Sequence, residues 1–352
     1  MILLKVTLTI LALLVFPIHA SDAISKDRLT SMLAEAEDYL SVKPSKSLEI
    51  LSNQNDLSLL SESQFFRWHI ASIRASLSFN NLSMMENSIK ALITHKSATE
   101  FKHRIVPILS SIGIWLRKSG YLKQAKLTLV CALKHNQIDG NKVILLTSIA
   151  IVSRHLNQNE YAIDAYNIAK SIAENENISS SLATIENNLG VLALDNDDII
   201  KAEQHFRSAL AKHQKNSNRS GNITSGINLL QVFLIQNKQL DYQRLFPSTA
   251  RLTKAFPNAS RQGTLFWLNT VFETRQGVKL NDRVKAQLVK SFNNITDRKL
   301  QFSLNKHFAD ELSISISLAN ETSQESLPPL WLNQITQCDW PKLKTFKLEN
   351  FK

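Results

Sequence analysis

The sequence predicts an all-α protein organised as a solenoid of antiparallel helix hairpins. Its 352 residues include only 8 Gly and 8 Pro, too few for the closely spaced turns of a β-sandwich or barrel. A pattern of small and large apolar residues at helical spacing also recurs along the middle of the chain. An apolar content of 43% and a charged content of 20% exclude a disordered chain and a protein with many membrane spans.

Residues 1–20 have the three-part organisation of a secretory signal peptide. Lys5 is their only charge, an apolar run extends from Val6 to Phe16, and Ala20 is a suitable cleavage residue before a polar segment. A retained membrane anchor is the alternative, but the apolar run is shorter than the roughly 20 residues that span a bilayer. We therefore expect an exported protein in the periplasm, with an extracellular location as the alternative.

Residues 21–98 are predicted to form divergent helical hairpins. The apolar spacing indicates an amphipathic helix over residues 27–40, and Pro44 can open a second helix that continues to residue 51. Residues 65–79 and 84–92 have the same character and could form a second hairpin.

Residues 99–250 contain the recurring pattern. In its clearest copy, Leu189 and Gly190 precede Ala202, Phe206 and Ala209. Two upstream copies agree at the same five positions, at intervals of 37 and 40 residues, and a degenerate copy follows. The upstream copies are Ile112, Gly113, Ala125, Leu129 and Ala132, then Ile149, Ala150, Ala162, Tyr166 and Ala169; the degenerate one has Leu229, Leu230, Tyr242 and Phe246.

This pattern resembles the tetratricopeptide repeat in a longer-period form of about 37 to 40 residues. Small residues such as Gly190 and Ala202 let two helices approach closely, and Phe206 fills the space behind them. The resemblance implies a right-handed superhelix in which stacked hairpins supply one another's core. Polar segments predict turns within the pairs at 118–121, 157–160 and 195–198, and longer connections between pairs at 136–141, 174–180 and 215–222.

Residues 251–326 are predicted to continue the helical solenoid without the diagnostic small residues. Helices are expected over residues 264–275, 281–292 and 297–318. Residues 327–352 follow the pair Pro328-Pro329 and are expected to form an extended or partly helical tail.

The functional surface that the resemblance implies is the concave groove lined by the first helix of each pair. Polar residues precede the large apolar residue of each copy, which suggests one polar side chain per repeat facing the groove. Amides can both donate to and accept from a peptide backbone, although the same residues could simply solvate the inner face. The polar set is Ser111, Ser148, Asn188 and Asn228; a neighbouring strip holds Ile114, Ile151, Val191 and the polar Gln231; Arg117 and Arg154 lie one turn further.

The two cysteines leave two alternatives open. Cys131 lies within a packing helix, which favours a buried free thiol. In an oxidising compartment it could instead pair with Cys338 and hold the tail against the central repeats.

Motifs that would indicate catalysis, a cofactor or a metal ion are not found. The sequence contains no Gly-rich phosphate loop, no His-Glu-x-x-His helix and no Gly-x-Ser-x-Gly elbow. Ser303 and Lys306 have the spacing of a Ser-x-x-Lys motif, but its companion motifs are missing. The chain is therefore not expected to be an enzyme.

The first functional hypothesis is a non-catalytic scaffold or adaptor of the cell envelope that binds a protein or peptide segment in the groove. The second is an enzyme or accessory factor that acts on envelope polysaccharide, and the third is a sensor that presents a peptide to a membrane receptor. The net charge of +11 permits contact with an anionic envelope polymer or membrane surface, whereas export argues against nucleic acid. The candidate carboxylates for the second hypothesis are Glu273, Asp282, Asp297, Asp310 and Glu311.

Overall fold

A computed structural model describes residues 25–54, 56–77, 79–316 and 327–348, which form 17 α-helices, one 3-10 helix and no strand. This confirms the predicted all-α hairpin solenoid. The signal-peptide prediction for residues 1–20 lies outside the described residues. The helices are α1 (Lys26–Val42), α2 (Pro44–Ser52), α3 (Glu62–Leu77), α4 (Leu82–Thr94), α5 (Thr99–His103), α6 (Ile105–Lys118), α7 (Leu122–His135), α8 (Asp139–His155), α9 (Asn159–Asn175), α10 (Ser179–Asp195), α11 (Ile199–Lys215), α12 (Arg219–Ile235), α13 (Gln239–Ala255), α14 (Ala259–Arg275), α15 (Asp282–Asn293), α16 (Arg298–Phe308), the 3-10 helix η1 (Leu330–Gln334) and α17 (Trp340–Leu343).

The helices from α8 to α14 follow a regular period. Each contains 17 residues and begins 20 residues after the previous one. Three-residue connections join them. The expectation of long connections between pairs is therefore wrong: residues 136–138, 176–178 and 216–218 suffice, because the helices themselves are longer and account for the longer repeat.

The turns explain this regularity. Asn157, Asn177, Asp197, Ser217 and Asn237 have φ between 52° and 58°, in the left-handed region that Asn and Asp tolerate best among residues with side chains. At each turn the next N–H donates to a carbonyl five residues back, as from Gln158 to Ser153 at 2.9 Å. This is the Schellman ending of a helix, which satisfies carbonyls that the helix leaves free. A polar residue every 20 positions therefore ends one helix and lets the next begin.

The close helix crossings occur where the small residues predicted them. A Cβ atom on Gly190 would lie 2.7 Å from two ring carbons of Phe206, and one on Gly113 would lie 2.6 Å from Leu129 Cγ. Phe206 and Ala202 are fully buried. These contacts confirm the prediction that a small residue at position 190 permits the close crossing, because the Phe206 ring packs directly against that helix.

The C-terminal segment turns back onto the solenoid. The predicted helix over residues 297–318 is too long, because α16 ends at Phe308 and Ser313 takes a left-handed φ of 52°. α16 lies against the ends of α8 and α10. Its N-cap Asp297 contacts Arg154, and Lys306 in its last turn contacts Asp197 in the turn after α10. It therefore closes part of the inner surface formed by α6, α8, α10 and α12.

Residues 327–348 pack onto the central repeats. Trp331 in η1 lies with its ring centroid 5.5 Å from that of Trp115 in α6, and Cys338 forms a disulfide with Cys131 in α7. The interpretation of Cys131 as a free buried thiol is therefore wrong: the tail returns across the repeats and places Cys338 beside it. Both cysteines are buried.

Within the described part of the chain, no helix combines the length and apolar character that crossing a bilayer requires.

Candidate functional site

A cavity of about 400 Å³ opens on the inner surface of the solenoid. The first helices of four successive pairs, α6, α8, α10 and α12, line one side of it. Parts of α14 and α16, together with Asn258, Thr296 and Asp297 just before them, close the other side, and Tyr166 of α9 also lines the cavity. The volume falls within the range of about 300 to 1,000 Å³ that is typical of ligand sites.

Six of the predicted groove residues line this cavity and three do not. Ser111 and Ser148 instead donate hydrogen bonds to carbonyls of their own helices, Pro107 at 2.8 Å and Ile144 at 2.9 Å. Ile114 packs against the central core. The predicted polar set therefore faces the cavity only in the later repeats, since α16 lies at that end of the inner surface. The six lining residues are Arg117, Ile151, Arg154, Asn188, Val191 and Asn228.

Asn187 connects the two predicted asparagines. Its Oδ1 accepts hydrogen bonds from Ser225 Oγ at 3.0 Å and from Asn228 Nδ2 at 3.1 Å. Its Nδ2 donates weakly to Asn188 Oδ1 at 3.4 Å. The repeat pattern does not single out Asn187, although an Asn at a largely buried helix position is a signal of polar contacts between helices. The network fixes the amides of α10 and α12 relative to each other.

Arg154 is the centre of a charge cluster at the floor of the cavity. It is 6% exposed and donates to both carboxylate oxygens of Asp195, at 2.6 and 3.0 Å. Its third nitrogen donates to Asp297 at 3.1 Å. Lys299 Nζ lies 3.7 Å from Asp195. Bidentate geometry of this kind orients both partners, so the cluster holds α8, α10 and α16 together.

Asp297 is also the N-cap of α16. Its Oδ1 accepts from the backbone N–H groups of Lys299 at 2.9 Å and Leu300 at 3.2 Å. Burial alone would raise the pKa of this carboxyl, but the attraction of Arg154 and these hydrogen bonds lower it to about 2. Asp297 is therefore ionised at neutral pH.

Two further basic side chains line the same region. Burial lowers the pKa of His155 to about 4, against the attraction of Asp297 and with help from three neighbouring cations, so His155 is neutral at pH 7. Burial also lowers the pKa of Arg117. Among the described residues, no side chain or carbonyl accepts a hydrogen bond from the Arg117 guanidinium.

Gln231 is the polar residue within the otherwise apolar strip. It is fully buried and donates from Nε2 to Ser303 Oγ at 2.8 Å. Its Oε1 has no hydrogen-bond partner, and neither has Asn188 Nδ2. Both residues line the cavity, so a donor and an acceptor there are left for a ligand.

The candidate carboxylates of the polysaccharide hypothesis do not converge. Only Asp297 lines the cavity, while Glu311 pairs with Arg275 and Glu273 accepts from Asn269. The second cavity carboxylate, Asp195, shares Arg154 with Asp297. Two carboxylates bridged by one guanidinium do not form an acid and base pair. The described residues contain no cluster of three metal-ligating side chains.

Comparison with known proteins shows likeness in fold. No family model and no curated protein matches the sequence. A Rap protein complexed with Competence and Sporulation Factor superposes with a TM-score of 0.55 at 11% identity, over 89% of this chain and 86% of that one. BtubC from P. vanneervenii (TM-score 0.45, 18% identity, 65% and 92% covered) and the apo form of RapI (0.39, 14%, 81% and 90%) are also similar. The first of these likenesses shows that the chain has the helical-repeat fold of a Rap protein.

Proposed function

We propose that this chain is a non-catalytic binding module that holds a segment of a partner protein or peptide in the inner cavity. The observation that carries this proposal is the set of amides there: Asn187, Asn188, Asn228 and Gln231 come from two successive repeats and line one cavity. Amides with unused hydrogen-bonding atoms suit a ligand whose own backbone presents both N–H and C=O groups. The structurally similar Rap protein is complexed with Competence and Sporulation Factor, which supports a binding role for this fold.

The proposed location is outside the cytoplasm. The Cys131–Cys338 disulfide supports an oxidising compartment, since such bonds persist in secreted and periplasmic proteins. The partner would then belong to the cell envelope. A scaffold and a peptide sensor would use the same cavity, and they would differ in whether a second protein recognises the occupied form.

The experiment is quantitative capture of envelope proteins and peptides on the immobilised oxidised protein. Asn188→Ala combined with Asn228→Ala should lower the recovery of specific partners by about tenfold or more, because each lost hydrogen bond leaves a polar group of the ligand unpaired. Asn167→Ala combined with Asn293→Ala is the matched control, since both residues are exposed and lie outside the cavity. Equal recovery by both double variants would reject the cavity as the binding site.

A further inference from the structure

The charges around the cavity are balanced in one part and unbalanced in another. Arg154 and Lys299 face Asp195 and Asp297, at distances of 2.6 to 3.7 Å. Two cations and two anions make this cluster neutral. It needs no ligand to compensate its charge.

Arg117 and Arg261 remain without a carboxylate partner. Both line the cavity, and burial lowers the pKa of each. Arg261 donates at 2.8 Å to Ser220 Oγ, which is uncharged. Asp297 attracts Arg117 through space but is already bonded to Arg154. Both guanidinium groups are half-buried, and partial burial of a charge with unused donors favours an anion that compensates it.

The N-terminus of α16 is not the group that would bind this anion. Helix N-termini attract anions through free N–H groups, but Asp297 already accepts from the N–H groups of Lys299 and Leu300. The positive character of the cavity therefore comes from its side chains. Arg117 is the one among them that both approaches the cluster and lacks a bonded acceptor in the described part of the chain.

The unpaired amide atoms specify the rest of the ligand. Gln231 is fully buried and leaves Oε1 without a donor. Asn188 Nδ2 lies near the Tyr166 hydroxyl and interacts with it but completes no hydrogen bond of good geometry, and at least one of its two N–H groups is left for a ligand. A ligand that satisfies both must carry an N–H group and an oxygen acceptor. Peptide units carry both, whereas an inorganic anion carries only acceptors.

We infer that the cavity selects a peptide segment that carries a carboxylate, and that this carboxylate binds Arg117 while the peptide backbone bonds to Gln231 and Asn188. The inference rests on the proposed function and adds the chemical class of the ligand. Arg117 is then the residue that determines specificity, because a guanidinium can bind a carboxylate through two parallel hydrogen bonds. The Arg154 cluster positions α16 and does not contact the ligand charge.

The test uses two pools of fluorescent hexapeptides, acetylated and amidated at their ends. The pools have uncharged random residues and differ at one central position, which is Glu in the first pool and Gln in the second. Fluorescence anisotropy measures binding to the oxidised full chain and to two variants. Arg117→Gln removes the proposed partner, and Arg251→Gln removes the same charge from an exposed position on α13, outside the cavity.

We expect the Glu pool to bind wild type and the Arg251→Gln variant about tenfold or more tightly than the Gln pool, since hydrogen bonds to charged groups are the stronger ones. Arg117→Gln should abolish that preference while leaving binding of the Gln pool unchanged. Equal binding of the two pools to wild type, or a preference that survives Arg117→Gln, would overturn the inference and leave the proposed function standing. Failure of both pools to bind would contradict both.

Discussion

Arg154, near the end of α8, donates a hydrogen bond to Asp297, the N-cap of α16, across 143 positions of sequence at 3.1 Å. The same guanidinium holds Asp195 at the end of α10. One side chain therefore joins two consecutive repeats to the C-terminal segment that closes the cavity. Its near-complete burial makes these bonds stronger than exposed ion pairs.

Asp297→Asn tests this junction. The amide keeps an oxygen that can cap α16 but loses the charge that faces Arg154. We expect the free energy of unfolding to fall by about 1 to 2 kcal/mol, below the effect of breaking a fully buried pair, because 37% of the Asp297 side chain is exposed. Urea denaturation at pH 7 measures the change.

Asp198→Asn is the matched control for this measurement. Asp198 is also an N-cap, of α11, and pairs with the exposed Lys201 at 2.9 Å. Because solvent screens that pair, the urea midpoint of this variant should equal that of wild type. If both variants shift the midpoint equally, capping rather than the junction with Arg154 explains the effect.

Gly190→Ala tests the close crossing of α10 and α11. The added methyl group would lie 2.7 Å from the buried Phe206 ring, so the helices must separate or the ring must move. We expect a loss of about 1 to 3 kcal/mol, as for other overpacked cores. Gly140→Ala adds the same group to α8, where no atom lies within 4 Å, and should be neutral or stabilise the protein by up to about 1 kcal/mol. Equal melting temperatures of the two variants would contradict the crossing.

The disulfide should control whether the tail stays on the repeats. Cys131 and Cys338 close a loop with a sequence separation of 207, and removal of a native disulfide typically costs about 2 to 5 kcal/mol. Reduction, or Cys131→Ser combined with Cys338→Ser, should lower the melting temperature and expose residues 327–348 to limited proteolysis. Mass spectrometry of the fragments identifies the cut.

Thiol labelling supplies the control for that experiment. Oxidised wild type should take up no label even when denatured, and the reduced denatured protein should take up two. Two labelled thiols in the untreated protein would show that the bond is not formed, and an uncut tail after reduction would show that packing of Trp331 against Trp115 is sufficient.

Stability should decrease as the pH falls from about 6.5 to 4. The pKa of His155 is about 4 in the folded protein, below its usual 6.5, mainly because of burial. The unfolded chain therefore binds a proton in this window and the folded chain does not, so the stabilisation is complete above pH 6.5 and is lost towards pH 4. His69, with a pKa of about 4 through burial, acts in the same direction.

His155→Gln should flatten this dependence by on the order of 2 kcal/mol between pH 7 and 4. Urea midpoints at several pH values measure the slope. His103→Gln, at an exposed position of α5, is the control and should retain the slope of wild type. A slope that is unchanged in His155→Gln would show that this imidazole is accessible to protons in the folded protein.

The sequence is most informative about the hairpins. Gly190, Ala202 and Phe206 predict a helix crossing that the structure confirms, because packing within one hairpin depends on residues close in sequence. The apolar pattern does not predict the 20-residue period, which is marked by the turn residues Asn157, Asn177, Asp197, Ser217 and Asn237. These residues end helices because their backbone is left-handed. The spacing of apolar residues carries no information about such a turn.

The cavity could be predicted only in part. Asn188, Asn228, Arg117 and Arg154 follow from their positions on the first helix of each pair. The return of α16 to the inner surface and the pairing of Cys131 with Cys338 depend on contacts 143 and 207 positions apart. No local pattern specifies such contacts, so the sequence does not predict the closing wall of the cavity and leaves the disulfide as one of two alternatives.

Photo-crosslinking from within the cavity tests the binding proposal most directly. Benzoylphenylalanine replaces Thr224, which lines the cavity and is half-buried, or Gln204, which is exposed on α11 outside it. After irradiation with envelope extract, the proposal predicts a covalent adduct of a defined peptide segment at position 224 and none at position 204. Adducts at position 204 alone, or the same adducts at both positions, would contradict it.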